Sequence, residues 1–424
     1  SEDILRETCY FPVSILVSFN SQISPKIMRQ IMAASNGFST FRAVLGHYIV
    51  NIEEYITMKQ IGIPIEHQSI TLDWLNAALR STGIIDEVQI QSFETEMLSA
   101  GQVGKVARLK LNYSDSGTSA PVSIIAKLSN PDNAIRAHMD KMNMYEKEVR
   151  FYQNIAPLIN LPSPRCYYSD YDQMSGSCVL LLEDISHMRA VDRSDGFQKD
   201  DAELIIHHLA KFHAQWWNSP QLKDMGYLTP FDHMASYSQE KFQEWWPTFL
   251  EKIEPILSKN SLPESFRKLG RQYGPLLTET MSKLNQSPIT ILHRDIGTDN
   301  LMFGTETDDP PLMFFDWQLV GYGRGVSDVT YFMIYAVPTD VRRQEEYNLV
   351  RMYHRLLEEY GIQEYDFKQC WFDYKLAFFR NLAVAVNVIA LSDTSHPYLR
   401  TTVQALLPRV IAFSEDHEVT SLLS

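Results

Sequence analysis

The amino-acid sequence predicts an α+β fold of two lobes, a small β-rich amino-terminal lobe (N-lobe) and a large helical carboxy-terminal lobe (C-lobe). Three apolar runs separated by turns indicate successive strands, and they are Val88–Leu98, Val103–Tyr113 and Val122–Leu128. After residue 185 the apolar residues recur at spacings of three and four, which is typical of helices. At 424 residues the chain can hold two or three structural units and a large core.

Composition and charge narrow the class of protein. The hydrophobic share of 45% is that of a globular protein, and the formal net charge of −14 argues against a general nucleic-acid binder. The four cysteines have no metal-ligand spacing, which favours a reducing, cytoplasmic location. No apolar run approaches the roughly 18 residues of a membrane span, and Phe11–Phe19 is interpreted as core. We therefore expect neither a nucleic-acid nor a membrane partner.

Residues 1–68 predict a helical extension. Ser24-Pro25 is a good helix start, and Ile27–Met32 and Phe41–Tyr55 each present an apolar face. These faces need burial, either on a lobe or in a homodimer, and the sequence does not choose between the two.

The predicted N-lobe begins with a helix, Leu72–Leu79, and continues with the three strands. The turn between the first two strands contains Gly101 and Gly104. Glycines in such a turn let backbone N–H groups approach phosphates, although hairpin turns also favour glycine for local reasons. Both glycines are therefore candidates for nucleotide binding.

Lys127 is a second candidate in this lobe. It lies in an apolar strand, where a charged side chain needs a partner. The next predicted helix, Met142–Tyr152, offers Glu148 beside its apolar face, whereas Glu146 is expected in solvent. The apolar strand that ends at Glu183 suits a connector between the lobes, and its backbone could bind an adenine edge.

The most informative stretch is Leu292–Trp317. It contains Asp295, Asn300 and Asp316 next to short apolar runs, and the turn-forming Thr305–Pro311 predicts a hairpin between the runs that follow Asn300 and precede Asp316. The hairpin would bring Asn300 and Asp316 together, with Asp295 nearby. Mg²⁺ takes a few oxygen ligands from protein and the rest from phosphates and water, so this set predicts magnesium-assisted phosphoryl transfer.

The C-lobe is predicted to be helical over 200–217, 341–361, 366–391 and about 397–413. His208 and His213 are interpreted as core or helix-face residues. The pairs Trp216-Trp217 and Trp245-Trp246 either line a substrate cleft or belong to the core. The glycines of Gly321–Gly325 indicate a tight loop.

The chain resembles the aminoglycoside phosphotransferase and choline kinase group, and most of all its ecdysteroid-kinase-like branch. The matching features occur in the expected order over roughly residues 70–335, and they are Lys127, Tyr145–Tyr152, Val179–Asp184, Leu209–Trp217, His293–Phe303, Phe315–Gln318 and Ser327–Phe332. His293-Arg294-Asp295 departs from the His-Gly-Asp that is common in the group.

The resemblance implies a bilobal, protein-kinase-like fold that transfers the γ-phosphate of ATP to a hydroxyl of a small molecule. Asp295 would be the catalytic base, Asn300 and Asp316 would bind Mg²⁺, and Lys127 paired with Glu148 would place the α- and β-phosphates. The implied parts are the extension 1–68, a nucleotide-binding N-lobe over 69–184, and a C-lobe over 185–424 with the catalytic loop and the acceptor site.

Two residues near the end of the matching region receive separate predictions. The resemblance implies that Asp328 caps the following helix and anchors the catalytic loop. Arg324 is predicted to form a salt bridge to Asp328 or, less strongly, to neutralise the charge of the transferred phosphate.

Two other functions stay open at this stage. A protein kinase is disfavoured because only a short span separates Asp316 from Asp328, and a nucleotide-binding scaffold without catalysis is disfavoured because the expected polar positions are filled. A hydroxylated, ecdysteroid-like or other bulky alcohol is the favoured acceptor by analogy. A cationic acceptor of the aminoglycoside or choline type is the alternative.

Overall fold

The computed structural model describes residues 62–99, 103–115, 117–230, 238–257 and 262–423. The predicted helices within Ile27–Met32 and Phe41–Tyr55 lie outside these residues, and so does Gly101. The predictions for them stay predictions.

A five-stranded antiparallel sheet forms the N-lobe, in the order β1-β2-β3-β5-β4. Its strands are β1 Ile90–Ser99, β2 Gly104–Tyr113, β3 Ser123–Ser129, β4 Cys166–Asp172 and β5 Ser177–Glu183. The three strands predicted before residue 129 are confirmed to within two residues at each end. Strand β5 ends at Glu183, and the predicted lobe boundary at residue 184 stays a prediction.

Helix α1, Leu72–Ser81, covers one face of this sheet. Thr71 caps it by accepting a hydrogen bond from the backbone N–H of Trp74 at 3.1 Å. Trp74 and Leu75 are buried in an apolar cluster that also contains Ile124, Ala126 and Leu128 of β3. Because side chains alternate along a strand, Lys127 points to the opposite face.

Two helices follow β3, where the sequence predicted one from Met142, and the second of them packs on that opposite face. Helix α2, Asn133–Lys141, begins at Asp132, whose side chain accepts from the N–H groups of Ala134 and Ile135. Helix α3, Met144–Arg150, follows Asn143, which has a left-handed φ of 56° and separates the two helices. The helix predicted over Met142–Tyr152 is therefore confirmed as α3 within two residues at each end, whereas α2 was not predicted.

The C-lobe is built from eight helices within the described ranges. They are α4 Lys199–Gln215, α5 Gln239–Ile253, α6 Glu264–Tyr273, α7 Leu277–Asn285, α8 Val326–Tyr335, α9 Thr339–Glu359, α10 Phe367–Leu391 and α11 Pro397–Asp416. The four helices predicted for this lobe are confirmed within three residues at each end. Helix α10 is long and apolar enough to cross a membrane, with a mean hydropathy of 1.4, yet 67% of its most apolar window is buried inside the protein. It packs as a core helix does.

Four short strands lie between α7 and α8, and they are β6 Thr290–Leu292, β7 Leu301–Phe303, β8 Leu312–Phe314 and β9 Gly321–Gly323. The predicted hairpin is confirmed, because β7 pairs with β8 in antiparallel register. The predicted loop at Gly321 is wrong, because that segment pairs with β6 as strand β9. The α+β, bilobal, protein-kinase-like architecture predicted from the sequence is confirmed.

Candidate active site

A cleft of about 640 Å³ lies between the sheet of the N-lobe and the C-lobe. Six of the predicted site residues line it, namely Lys127, Glu148, Glu183, Asp295, Asn300 and Asp316. The fold thus brings together residues that lie up to 189 positions apart in the sequence.

Lys127 lies at the centre of an ion-pair triad with two carboxylates. Its Nζ is 2.7 Å from Oε2 of Glu148 and 2.8 Å from Oδ1 of Asp316. The predicted pairing with Glu148 is confirmed, and the contact with Asp316 joins the two lobes. Although burial opposes its charge, Asp316 and Glu148 raise the pKa of Lys127, so the ammonium group stays charged.

Glu148 is 2% exposed, and its ionisation depends on this triad. Burial raises the pKa of Glu148, while the ammonium of Lys127 acts in the opposite direction. A carboxylate this deep in the protein is stable as an ion only beside its partner. Glu146 is partly exposed and pairs with Arg150 along the helix surface, as the prediction of a solvated Glu146 requires.

Asp328 anchors the loop that carries Asp295. Its Oδ2 accepts from the backbone N–H of His293 at 2.7 Å, and its Oδ1 accepts from that of Arg294 at 3.0 Å. Burial alone would raise the pKa of Asp328, but the ring of His213 at 3.5 Å holds it below its ordinary value. The predicted anchoring is confirmed. Asp328 lies inside helix α8, which has Gly325 as its N-cap, so the predicted capping role is wrong.

Asp295 projects into the cleft from this loop. Its Oδ1 accepts a hydrogen bond of 2.6 Å from the hydroxyl of Tyr331, and its backbone carbonyl accepts one of 2.9 Å from Nδ2 of Asn300. Burial raises the pKa of Asp295, the hydrogen bond from Tyr331 opposes this, and the carboxylate of Asp316 adds to it. A partly desolvated carboxylate suits a general base.

Asn300 and Asp316 stand at the same end of the β7–β8 hairpin. The backbone N–H of Phe315 donates to the carbonyl of Asn300 at 3.1 Å, which fixes the two chain segments side by side. Because Nδ2 of Asn300 donates to the backbone carbonyl of Asp295, the amide oxygen of Asn300 is the atom that could hold a metal ion. Asp316 has a left-handed φ of 63°, which turns its side chain out of the strand direction.

This donor set fits Mg²⁺ and similar hard cations that prefer oxygen ligands. No group of three or more His, Cys, Asp and Glu side chains could hold a metal ion in the part of the chain that the structure describes. One carboxylate and one amide oxygen suffice where phosphates and water complete the shell of Mg²⁺.

Two of the predicted nucleotide contacts have structural explanations of their own. A Cβ on Gly104 would lie 2.5 Å from the carbonyl oxygen of Leu128, so close strand packing requires glycine there. The carboxylate of Glu183 accepts from the backbone N–H of Arg165 at 3.0 Å, although Glu183 also lines the cleft. The nucleotide roles of Gly104 and Glu183 stay predictions.

The far wall of the cleft consists of residues that the sequence did not indicate, and they are Arg193, Asp299, Tyr331, Tyr335, Thr402 and Leu406. Arg193 forms an ion pair with Asp299 and a hydrogen bond to the hydroxyl of Thr402 on α11. Of these residues, Asp299 and Tyr331 lie in motifs that carried the family resemblance, and no role followed from either. Contacts that span over 200 residues leave no local signal.

Two arginines near the loop are structural. The guanidinium of Arg294 donates to the carbonyls of Thr229 at 2.7 Å and Tyr322 at 2.8 Å. Arg294 also has a left-handed φ of 72°, a conformation that suits the glycine common at this position of the group. Arg324 pairs with Asp373 at 3.2 Å, so the predicted salt bridge to Asp328 is wrong, while the predicted phosphate role stays a prediction.

The predicted aromatic residues of the C-lobe belong to the core. Trp216 and Trp246 are 3% exposed, and Trp217 and Trp245 are packed against the same apolar cluster. None of the four is among the residues that line the cleft. His213 is fully buried, as the core interpretation predicted.

Comparison with known proteins points to one family. A model of the ecdysteroid kinase-like family matches residues 101–363, and this match confirms the resemblance predicted from the sequence. Over 340 residues the chain is 20% identical to "Uncharacterized oxidoreductase dhs-27" of Caenorhabditis elegans, a match that covers 71% of this chain. The chain spans only 39% of the length of that curated relative.

Solved structures of small-molecule kinases are also similar. An ethanolamine kinase of Plasmodium vivax is 13% identical, with coverage of 85% of this chain and 93% of that chain and a TM-score of 0.43. The GDP complex of wild-type aminoglycoside 2'-phosphotransferase-IIIa is 14% identical, with coverage of 76% and 94% and a TM-score of 0.46.

Proposed function

The chain belongs to the ecdysteroid kinase-like family, and from this premise we propose that it transfers the γ-phosphate of ATP to a hydroxyl group of a small molecule. The observation that carries the proposal is the placement of Asp295, Asn300 and Asp316 in one cleft with the Lys127–Glu148 ion pair. This is the set of groups that phosphoryl transfer needs for charge neutralisation, positioning and proton removal.

The Lys127–Glu148 pair supports a role in holding the nucleotide. Glu148 is buried and fixes the ammonium group of Lys127 on the side of the sheet that lines the cleft. There the ammonium group would contact the α- and β-phosphates. Asn300 and Asp316 would hold Mg²⁺, which supplies positive charge against the phosphate oxygens when bound. Lys127 would then keep Glu148 as its partner while Asp316 turns to the metal.

Asp295 supports a role as the base that accepts the proton of the acceptor. The acceptor oxygen forms a bond to the γ-phosphorus, and the bond from that phosphorus to the bridging oxygen of ADP breaks. The electron pair of the broken bond leaves with ADP, and the hydroxyl proton passes to the free oxygen of Asp295. The products are a phosphate ester and ADP, so atoms and charge balance.

The far wall of the cleft favours an uncharged, bulky alcohol as the acceptor. Tyr331, Tyr335 and Leu406 present aromatic and apolar surface beside Asp295. The carboxylate of Asp299 would attract a cation, but it is already neutralised by Arg193. A cationic acceptor of the aminoglycoside or choline type would have to displace that ion pair, and it is the second candidate for this reason.

The proposal is tested by ADP formation from ATP and Mg²⁺ with a panel of acceptors, comprising steroid polyols, other apolar alcohols, aminoglycosides and choline. We expect acceptor-dependent ADP release with at least one uncharged alcohol and a matching phosphate ester by mass spectrometry. Absence of acceptor-dependent ADP release across the panel, in protein that ATP and Mg²⁺ stabilise against heat, would favour the scaffold alternative.

A further inference from the structure

Tyr331 forms a direct side-chain hydrogen bond to Asp295, the proposed base, although the sequence did not indicate Tyr331 as a site residue. Its hydroxyl donates to Oδ1 of Asp295 at 2.6 Å, a short distance that is typical of a charge-assisted hydrogen bond. Burial raises the pKa of Tyr331 well above its ordinary value, and the carboxylate of Asp295 acts in the same direction. The phenol therefore keeps its proton and serves as the donor.

Helix α8 holds Tyr331 rigidly against the catalytic loop. Asp328 and Tyr331 are three residues apart on this helix, so they lie on the same face. Asp328 binds the backbone of the loop, and Tyr331 binds the side chain that the loop presents. One helix face thus fixes both the position of the loop and the orientation of its carboxylate.

Tyr335 supports this arrangement one turn further along the helix. Its ring lies 4.6 Å from that of Tyr331, and its hydroxyl donates to the carbonyl of Asn381 on helix α10 at 3.0 Å. Tyr331 is thereby packed between a core-anchored ring and the carboxylate, which restricts its rotamer.

A carboxylate base uses one oxygen to accept the proton, and the other can be fixed by a donor. We infer that Tyr331 is a positioning residue that binds Oδ1 of Asp295 and directs Oδ2 to the acceptor hydroxyl. The inference rests on the proposed function, since it assigns a role within that phosphoryl transfer. Productive geometry tolerates little misplacement, so losing the donor should lower turnover while leaving nucleotide binding intact.

The test compares Tyr331→Phe with Tyr374→Phe as a matched control. Tyr374 also donates a 2.6 Å hydrogen bond to a buried carboxylate, that of Glu346, but it lies in the C-lobe core away from the cleft. Turnover and the KM for ATP are measured with the panel alcohol that the wild-type protein uses fastest, well below the melting temperature of each variant.

We expect Tyr331→Phe to lower kcat about tenfold with an unchanged KM for ATP, and Tyr374→Phe to cost only stability. In an Asp295→Asn background, Tyr331→Phe should have no further effect on kcat, because the oriented base is already absent. Wild-type kcat in Tyr331→Phe, or an equal loss in both backgrounds, would overturn the positioning role while the proposed function stood. A wild-type protein without any alcohol-dependent turnover would overturn both.

Discussion

The ion pairs of Lys127 determine how the nucleotide side of the cleft can bind phosphates. Lys127 has one buried partner, Glu148, and one partly exposed partner, Asp316. Without the carboxylate of Glu148, the ammonium group of Lys127 would pair with Asp316 alone. The ammonium group would then move away from the position where phosphates must bind. The free energy of a hydrogen bond to a charged group is about 1.5–3 kcal/mol.

Glu148→Gln is therefore expected to weaken ATP-Mg²⁺ binding by roughly 10–100-fold. Glu146→Gln is the matched control, because Glu146 lies on the same helix but only pairs with Arg150 on its surface. Isothermal titration with ATP and Mg²⁺ measures both. Equal affinity in the two variants would remove Glu148 from the nucleotide site.

At the scale of elements, the strand pair β6–β9 carries the catalytic loop. A Cβ on Gly321 of β9 would lie 2.2 Å from the guanidinium carbon of Arg294, so the arginine fills the space that the glycine leaves. The sequence contains the glycines of Gly321–Gly325 but does not indicate that β9 pairs with β6, because a three-residue strand has no periodicity to detect. The loop interpretation failed for this reason.

Gly321→Ala should lower the free energy of unfolding by about 1–3 kcal/mol, since it forces Arg294 off the carbonyls of Thr229 and Tyr322. Gly226→Ala, where no atom lies within 4 Å of the added Cβ, is the control and should leave stability nearly unchanged. Urea unfolding of both variants makes the comparison. Equal urea midpoints in the two variants would show that Arg294 does not need the space left by Gly321.

At the scale of the whole molecule, local pattern predicted the strands of the N-lobe, the long C-lobe helices and the hairpin after Asn300. It also placed Lys127, Glu148 and Asp295 in one site through a known order of motifs. The far wall of the cleft could not be predicted from local pattern or from the order of motifs. Arg193 and Thr402 meet across 209 positions, and only the packing of α11 on the C-lobe brings them together.

Global stability should also depend on pH through His208 on helix α4. Burial lowers the pKa of His208 from 6.5 to about 4, and its Nδ1 has no hydrogen-bond partner. Below pH 6.5, His208 is protonated in the unfolded chain but stays neutral in the folded protein. The stabilisation of the folded protein that is present above pH 6.5 is therefore lost as the pH falls to about 4.

His208→Phe should reduce this loss of unfolding free energy by about 1–3 kcal/mol between those two pH values. The adjacent, exposed His207 is kept in both proteins, because its charge also lowers the pKa of His208. Unfolding in urea at a series of pH values compares His208→Phe with the wild-type protein. A wild-type profile in His208→Phe would show that this histidine does not set the slope.

We expect Asp295 to accept the proton and Asp316 to bind the metal, and measuring turnover and ATP-Mg²⁺ affinity in Asp295→Asn and Asp316→Asn tests both roles. Asp295→Asn keeps the shape of the side chain but cannot take the proton, so turnover should fall about 10²–10⁴-fold with nucleotide affinity preserved. Asp316→Asn should lose affinity as well as turnover, because Asp316 would hold the Mg²⁺ that accompanies ATP. Near-normal turnover in Asp295→Asn, measured well below its melting temperature, would contradict the account.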